Sequence, residues 1–185
     1  MVYNHKKNEM KLLILDMDET LLHASEDCES EYDFKIVFGN TTYFVKKRPN
    51  LDIFLDFAFS NFKVAVWTAG GIDYASEALI KCGIRLNSLN FFWTREKCTI
   101  KKNLETGQYY GLKNLNKVKK FGWSLNDVLI VDDVGETSSK NYGNLIQIKP
   151  FYHGDDNELL KLIKYLKKIK NEPNYRRIEK RGWSS

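Results

Sequence analysis

Cysteine and histidine are scarce in this chain, which has only three of each among its 185 residues. Cys28, Cys82 and Cys98 are odd in number and scattered, with no C-x-x-C pair. That excludes a disulfide framework and a zinc site of the usual spacing, leaves the cysteines as small packing residues, and points to a reducing compartment. His5, His23 and His153 are isolated and form no metal-binding spacing. No apolar run approaches the ~20 residues needed to span a bilayer. The opening Met1-Val-Tyr-Asn-His-Lys-Lys also lacks the apolar block of a signal peptide. The expectation is a soluble intracellular protein of the nucleus or cytoplasm, with no membrane segment. Repeats and low-complexity segments are absent, as are zinc-finger, RNP and helix-turn-helix patterns. The net charge of +5 is therefore read as solvation or as steering of an anionic partner rather than as a nucleic-acid footprint.

What is present is a core. Hydrophobic residues make up 43% of the chain, and its length suits one domain of the usual ~100 to 200 residues. The expected division is a single catalytic domain over residues 1–170 and a basic, frayed tail over 171–185. The most informative stretch is Lys11-Leu-Leu-Ile-Leu-Asp16-Met-Asp18-Glu-Thr20, an apolar run that breaks off into two acids and a hydroxyl. A continuous apolar run suits a parallel strand buried on both faces, and open α/β sheets bind ligands beyond the carboxyl ends of such strands. In extended backbone, residues two apart share a side, so Asp16 and Asp18 can both face one crevice while Met17 points elsewhere.

Two further runs end in the same way. Phe62-Lys-Val-Ala-Val-Trp67 stops at Thr68-Ala-Gly-Gly, and Val128-Leu-Ile-Val131 stops at Asp132-Asp133. Separate strands thus deliver Asp, Thr and Asp-Asp to one edge, which packing alone does not require. Asp16, Asp18, Asp132 and Asp133 would repel one another without a cation. An all-oxygen donor set favours a hard ion, for which Mg²⁺ is the candidate.

In order along the chain, these residues resemble the motifs of the haloacid dehalogenase superfamily. More narrowly, Leu15-Asp-Met-Asp-Glu-Thr-Leu-Leu-His23, Lys47-Arg-Pro-Asn-Leu-Asp-Ile-Phe-Leu55, Trp67-Thr-Ala-Gly70 with Tyr74-Ala, Arg95-Glu-Lys-Cys98, Gly111-Leu-Lys-Asn-Leu115 and Val131-Asp-Asp133 resemble the FCP/SCP-type (NLI-interacting-factor-like) protein serine/threonine phosphatases. The resemblance implies a Rossmann-like three-layer α/β/α parallel sheet. It also implies Mg²⁺-dependent hydrolysis of phosphoserine or phosphothreonine in a phosphoprotein or phosphopeptide, the RNA polymerase II C-terminal domain being one candidate. Asp16 is implied as nucleophile, Asp18 as general acid and base, Thr68 as the hydrogen-bond partner of a phosphoryl oxygen, Lys113 as the fixed positive charge, and Asp132 as the partner orienting Lys113. The implied metal ligands are Asp16, Asp133 and the backbone carbonyl of Asp18, and the implied substrate-binding residues are Thr20, Tyr74 and Arg95. A strand-end salt bridge would also explain Arg95, and His23 receives no catalytic role.

The chemistry agrees with that resemblance. Phosphate monoesters hydrolyse so slowly that a covalent route in two easier steps is favoured. Crowded carboxylates can raise one another's pKa, which is how Asp18 could hold a proton.

Intervals between the motifs are short. Tyr32 to Val45, with the turn Gly39-Asn40, alternates as a β-hairpin flap, and Ile72 to Gly83 reads as a helix ending at glycine. Phe91 to Tyr110, with the turn Glu105-Thr-Gly107, reads as a small β insertion. A last helix beginning near Asp156 packs Leu159, Leu160, Ile163, Leu166 and Ile169 into the core. No interval is long enough for a large cap domain, so an open site and a bulky substrate are expected. Two departures bear on substrate. Relatives place an aromatic residue where Glu26 stands, six residues after Thr20, and an apolar residue where Gly71 stands, so a preference for a proline-containing repeat is in doubt.

Other readings are weaker. A receiver domain places its acid pair first in the chain, whereas here Asp132-Asp133 comes last. A binding module descended from such an enzyme would typically have lost Asp16 or Asp18. A cysteine-based phosphatase needs a phosphate-cradling loop after its thiolate, which none of the three cysteines has. A small-molecule phosphatase of the same superfamily remains an alternative.

Overall fold

The computed structural model describes residues 10–27, 31–104 and 106–184. Cys28, His5, Glu105 and the opening segment lie outside the described residues. Five strands form one parallel sheet: β1 (Leu12–Leu15), β5 (Lys63–Trp67), β6 (Phe92–Trp93), β9 (Val128–Asp132) and β10 (Leu145–Gln147), in the order β10-β9-β1-β5-β6. The chain builds outward from β1 on one side and then returns to the other, which makes the crevice between β1 and β9 the switch point of the topology.

Every residue of β1 is fully buried because both faces of the sheet are covered. Leu13, Leu15, Val64, Val66, Leu129 and Val131 face the helices α1 (Leu51–Asn61), α2 (Ile72–Lys81) and α3 (Glu158–Ile169). Leu12, Ile14, Ala65, Trp67, Val128 and Ile130 face the opposite layer. That layer is thin: a 3-10 segment, Leu115–Phe121, contributes Leu115 and Val118, and the edge-to-face pair Trp67 and Trp93, with centroids 4.8 Å apart, packs beside them, with Phe91, Trp123 and Leu125 at the margin. None of the described helices is long and apolar enough to cross a membrane.

The expected flap is a three-stranded antiparallel sheet. β3 (Phe34–Phe38) and β4 (Thr41–Lys47) form the hairpin, whose turn has Gly39 at φ 60°, and β2 (Leu22–Ser25) pairs with the outer side of β4. The β insertion is smaller than the Phe91–Tyr110 interval: only β7 (Thr99–Lys102) and β8 (Tyr109–Leu112) pair with each other. Phe92 and Trp93 belong instead to the edge of the main sheet. α2 ends as read, with Gly83 at φ 86°. α3 starts two residues beyond Asp156, whose carboxylate accepts the Glu158 N–H at 2.8 Å. Its buried stripe runs through Leu159, Leu162, Ile163, Leu166 and Ile169, with Leu160 only partly covered.

The segment after α3 is packed, not frayed. Tyr175 is fully buried, Lys180 donates to the carbonyls of Gly143, Tyr175 and Ile178, and Trp183 Nε1 donates to the Gln147 carbonyl at 2.7 Å.

Candidate active site

The register decides which residues meet. Leu15 lies between Val66 and Val131, so Asp16 and Asp132 emerge side by side at the carboxyl edge, with Thr68 two residues beyond Val66. The Asp16 N–H donates to the Val131 carbonyl at 2.9 Å and the Thr68 N–H to the Trp93 carbonyl at 2.9 Å, which carries the sheet one residue beyond its regular ladder. The backbone then turns sharply: Met17 buries its side chain, and Glu19 takes the left-handed conformation at φ 55°. Met17 O accepts the N–H groups of Thr20, Leu21 and Leu22, closing the loop under the two acids.

Asp16 and Asp18 leave this turn with different partners. The Asp16 carboxylate is held by the Lys113 ammonium on one oxygen and lies 3.4 Å from the Thr20 hydroxyl on the other. Asp18 is held by two neutral hydroxyls, Tyr74 at 2.7 Å and Thr68 at 3.2 Å. Burial pushes both carboxyls above the ordinary aspartate range, with the Lys113 charge opposing the rise at Asp16 and the two hydroxyls opposing it at Asp18. Burial by itself would lower the Lys113 pKa. The flanking carboxylates of Asp16 and Asp132 outweigh it, so the ammonium stays charged. Tyr74 remains a neutral donor because burial and the Asp18 charge both raise its pKa.

The consecutive acids after β9 also differ. Asp132 is almost fully buried and saturated: Oδ2 accepts Lys113 Nζ at 2.9 Å, the Thr137 hydroxyl at 2.9 Å and the Ser138 hydroxyl at 3.3 Å, while Oδ1 accepts the Val134 N–H at 3.0 Å. Asp133 is partly exposed, accepts the Thr20 hydroxyl at 3.2 Å and has its pKa raised by burial. Oxygens of Asp16, Asp132 and Asp133 lie within 4.8 Å of one another. An all-carboxylate set of this spacing fits a hard divalent cation such as Mg²⁺. With four donors already on Asp132, the oxygens more open to a cation are those of Asp133 and the Asp16 Oδ2, whose one donor, Thr20, is 3.4 Å away.

Lys113, Thr68, Thr20 and Asp132 therefore converge with the two acids, as does Tyr74, which reaches in from α2. Arg95 stands at the rim. Its N–H donates to the Gly70 carbonyl at 3.1 Å, and its guanidinium lies 3.4 Å from where a β carbon on Gly71 would project. It forms no ion pair among the described residues. Gly70 is a close approach: its N–H donates to Thr68 Oγ1 at 2.9 Å, and a β carbon there would lie 3.2 Å from that oxygen and 3.6 Å from Asp18 Oδ2, filling space above the site. His23 bonds Glu19 at 2.9 Å and meets Tyr152 edge-on, away from the pair of acids.

Several supporting residues carried no signal. Arg48, buried under the loop, donates to the Thr20 carbonyl at 3.1 Å, the Lys149 carbonyl at 2.8 Å and, through two nitrogens, Asp156 at 3.1 and 2.8 Å. Asn141 donates to the Lys113 carbonyl and accepts the Leu115 N–H at 3.1 Å, clamping the lysine's backbone. The Tyr43 ring of the flap packs on Tyr74 at 5.3 Å between centroids. Only Arg48 fell within a quoted motif, and there without a role; loop Asn, Ser and Thr residues usually read as turn formers.

Comparison with known proteins yields one family. The profile of the NLI interacting factor-like phosphatases matches residues 11–176. The CTD phosphatase-like protein 355R of Invertebrate iridescent virus 3 is 32% identical over 188 residues, covering 89% of this chain and 100% of the viral protein. The CTD small phosphatase-like protein 2 of Dictyostelium discoideum is 32% identical, covering 89% of this chain; the chain spans only 28% of that protein. Among solved structures, the fission yeast RNA polymerase II CTD phosphatase Fcp1 bound to beryllium fluoride superimposes with a TM-score of 0.68 at 18% identity, over 87% of this chain and 62% of that one. At that identity the likeness establishes the shared fold.

Proposed function

The chain belongs to the NLI interacting factor-like phosphatase family, and from that premise we propose that it is an aspartate-based, Mg²⁺-dependent protein phosphatase acting on phosphoserine or phosphothreonine. The observation that carries this reading is the unequal environment of two neighbouring acids: Asp16 is paired with a fixed cation, and Asp18 is held by neutral hydroxyls. A nucleophile must be available as a carboxylate, which the Lys113 charge favours at Asp16 against the effect of burial, and a general acid must hold a proton, which burial without a directly bonded cation favours at Asp18 against its two hydroxyl donors.

In the first step an Asp16 carboxylate oxygen forms a bond to phosphorus in line with the breaking bond to the seryl or threonyl oxygen. Asp18 transfers its proton to that departing oxygen. In the second step Asp18, now a carboxylate, takes a proton from water as the water oxygen bonds to phosphorus. The bond from phosphorus to Asp16 breaks, which releases inorganic phosphate and restores both acids. With substrate bound, the Thr68 hydroxyl turns its proton from Asp18 to a phosphoryl oxygen, and Lys113 sets its charge beside the nucleophile. Asp132 and Asn141 hold Lys113 in place from the side chain and the backbone.

Asp16, Asp133 and the Asp18 carbonyl would hold Mg²⁺, with Asp132 kept to its lysine. When bound, the ion would neutralise negative charge at the reacting centre. Thr20, Tyr74 and Arg95 complete the substrate side of this assignment. The site has no large cap among the described residues, which favours a phosphoprotein segment over an enclosed metabolite. The RNA polymerase II C-terminal domain is one candidate substrate.

The deciding experiment measures phosphate release from phosphoserine peptides, with and without the polymerase repeat, in Mg²⁺ or EDTA and beside Asp16→Asn. Metal-dependent release abolished by the substitution is expected. Turnover of sugar phosphates with none of phosphopeptides would overturn the assignment of a protein substrate.

A further inference from the structure

A cavity of about 750 Å³ opens between the loop that follows β9 and the segment at 176–184, and Asp133 forms part of its wall. The acid that faces Thr20 inside the site thus also borders this second space. The cavity and the site therefore share one wall residue, Asp133.

The wall is cationic. Lys149, Arg176, Arg177, Lys180 and Arg181 line it, against the acids Asp133 and Glu179. Two of the cations are already occupied: Lys180 by backbone carbonyls, and Arg181 by Glu179 at 2.7 Å. Lys149, Arg176 and Arg177 have no side-chain acceptor among the described residues. Their placement is enforced by packing. Buried Tyr175 and the Trp183 indole pin the segment on both sides, and a β carbon on Gly143 would come within 3.2 Å of Arg176 Cβ. Tyr142, 69% exposed, presents its ring at the same wall. Surface lysines and arginines usually point outward and separately. Here three unpaired ones share a concavity of ligand size next to a phosphoryl site.

We infer that this cavity binds an acidic stretch of the substrate chain adjacent to the phosphorylated residue, so that the protein selects phosphosites flanked by Asp or Glu. The inference rests on the reading of the site as a phosphoprotein phosphatase. An acidic peptide is favoured over a nucleic acid because the cavity shares Asp133 with that site, so its occupant is continuous with the phosphoserine.

The test uses phosphoserine peptides of equal length carrying three Glu residues on the amino-terminal or the carboxy-terminal side, each beside its Gln counterpart. The quantity read is the Glu-to-Gln ratio of kcat/KM. About tenfold is expected on one side, the sum of two or three exposed charge pairs. The ratio should fall to near unity in Arg176→Glu/Arg177→Glu, or in Lys149→Glu should the double variant not fold. It should persist in Lys119→Glu/Lys120→Glu, which changes the net charge equally away from the cavity. A wild-type ratio near unity on both sides, or an equal loss in the Lys119/Lys120 variant, overturns the inference. Fluorescence anisotropy of the same peptides with Asp16→Asn separates this failure from failure of the functional reading, because it needs no turnover. Glu-selective binding lost in the Arg176/Arg177 variant upholds the cavity assignment, whereas equal binding of Glu and Gln peptides, or displacement by single-stranded RNA alone, overturns it.

Discussion

The Tyr74 hydroxyl donates a 2.7 Å hydrogen bond to Asp18 Oδ1, linking the first turn of α2 to the second acid of the β1 loop. The flap supports this contact through Tyr43, which packs on Tyr74 and so steadies the orientation of Asp18. Tyr74→Phe keeps the ring packing and removes the bond. Steady-state kinetics on a phosphoserine peptide should show kcat lowered about tenfold, the worth of one hydrogen bond to a chargeable group. The thermal midpoint should stay close to that of the wild type.

Asp18→Asn should separate substrates by leaving group. A serine alkoxide needs a proton as it departs, whereas a nitrophenolate does not. Turnover of phosphoserine peptide is expected to fall by roughly 10²- to 10⁴-fold and that of an aryl phosphate by much less. Equal losses on both substrates would confine the Asp18 proton transfer to the second step, which the two share, and remove it from leaving-group departure.

Removal of divalent cations with EDTA should abolish phosphate release, and Mg²⁺ should restore it. Asp133→Ala removes one of the more open oxygen ligands while leaving the Lys113 and Asp132 contacts intact. The Mg²⁺ concentration giving half-maximal activity should rise at least about tenfold. An unchanged Mg²⁺ requirement would remove Asp133 from the ligand set.

Arg48 ties the β1 loop to the carbonyl of Lys149 and to Asp156 just before α3. Asp156→Ala leaves the buried guanidinium without its counter-charge and should lower stability by about 3 kcal/mol in chemical denaturation. The pH dependence has a definite sign. Burial pushes the Asp156 carboxyl up, but Arg48 and the Glu158 N–H pull it further down, so its folded pKa lies below the ordinary aspartate value. That contribution is fully present above the unfolded-state pKa and is lost as pH falls through the depressed folded one. The wild type should therefore lose more stability on acidification than Asp156→Ala does.

Gly71 leaves room for the Arg95 guanidinium, 3.4 Å from the position of a missing β carbon. Gly71→Val should push that side chain aside, raising KM for phosphopeptides severalfold with kcat nearly unchanged, as expected for lost uniform binding. Arg95→Ala should reproduce the effect. Unchanged KM in both variants would remove Arg95 from the substrate side of the site.

Much of the site was legible because its signal is local. Asp16 and Asp18 share a face by the two-residue repeat of extended backbone, and the ends of β5 and β9 are marked by Thr68 and by Asp132-Asp133 after apolar runs. Other features carried no such signal. Phe92–Trp93 is too short to show a period, so nothing in the sequence separates this edge strand of the main sheet from the β insertion that follows it. β2 lies in the residues just after the motif and pairs only because β4 arrives beside it. The supposed frayed end holds Tyr175, whose burial depends on a surface built by residues far earlier in the chain.

By itself, the sequence determined the parallel-sheet class, the order of the chemical groups along the chain, and the three strand ends from which they emerge. Periodicity and strand-end chemistry need only neighbouring residues. Tertiary structure alone decided that Asp132 is saturated while Asp133 is open, that Arg48 joins the β1 loop to Asp156, and that the terminal segment turns a basic run into the wall of a cavity beside Asp133. These are contacts between residues distant in the chain, and the hydrogen-bond partners left over for each group exist only once the register of the sheet has brought the strand ends together.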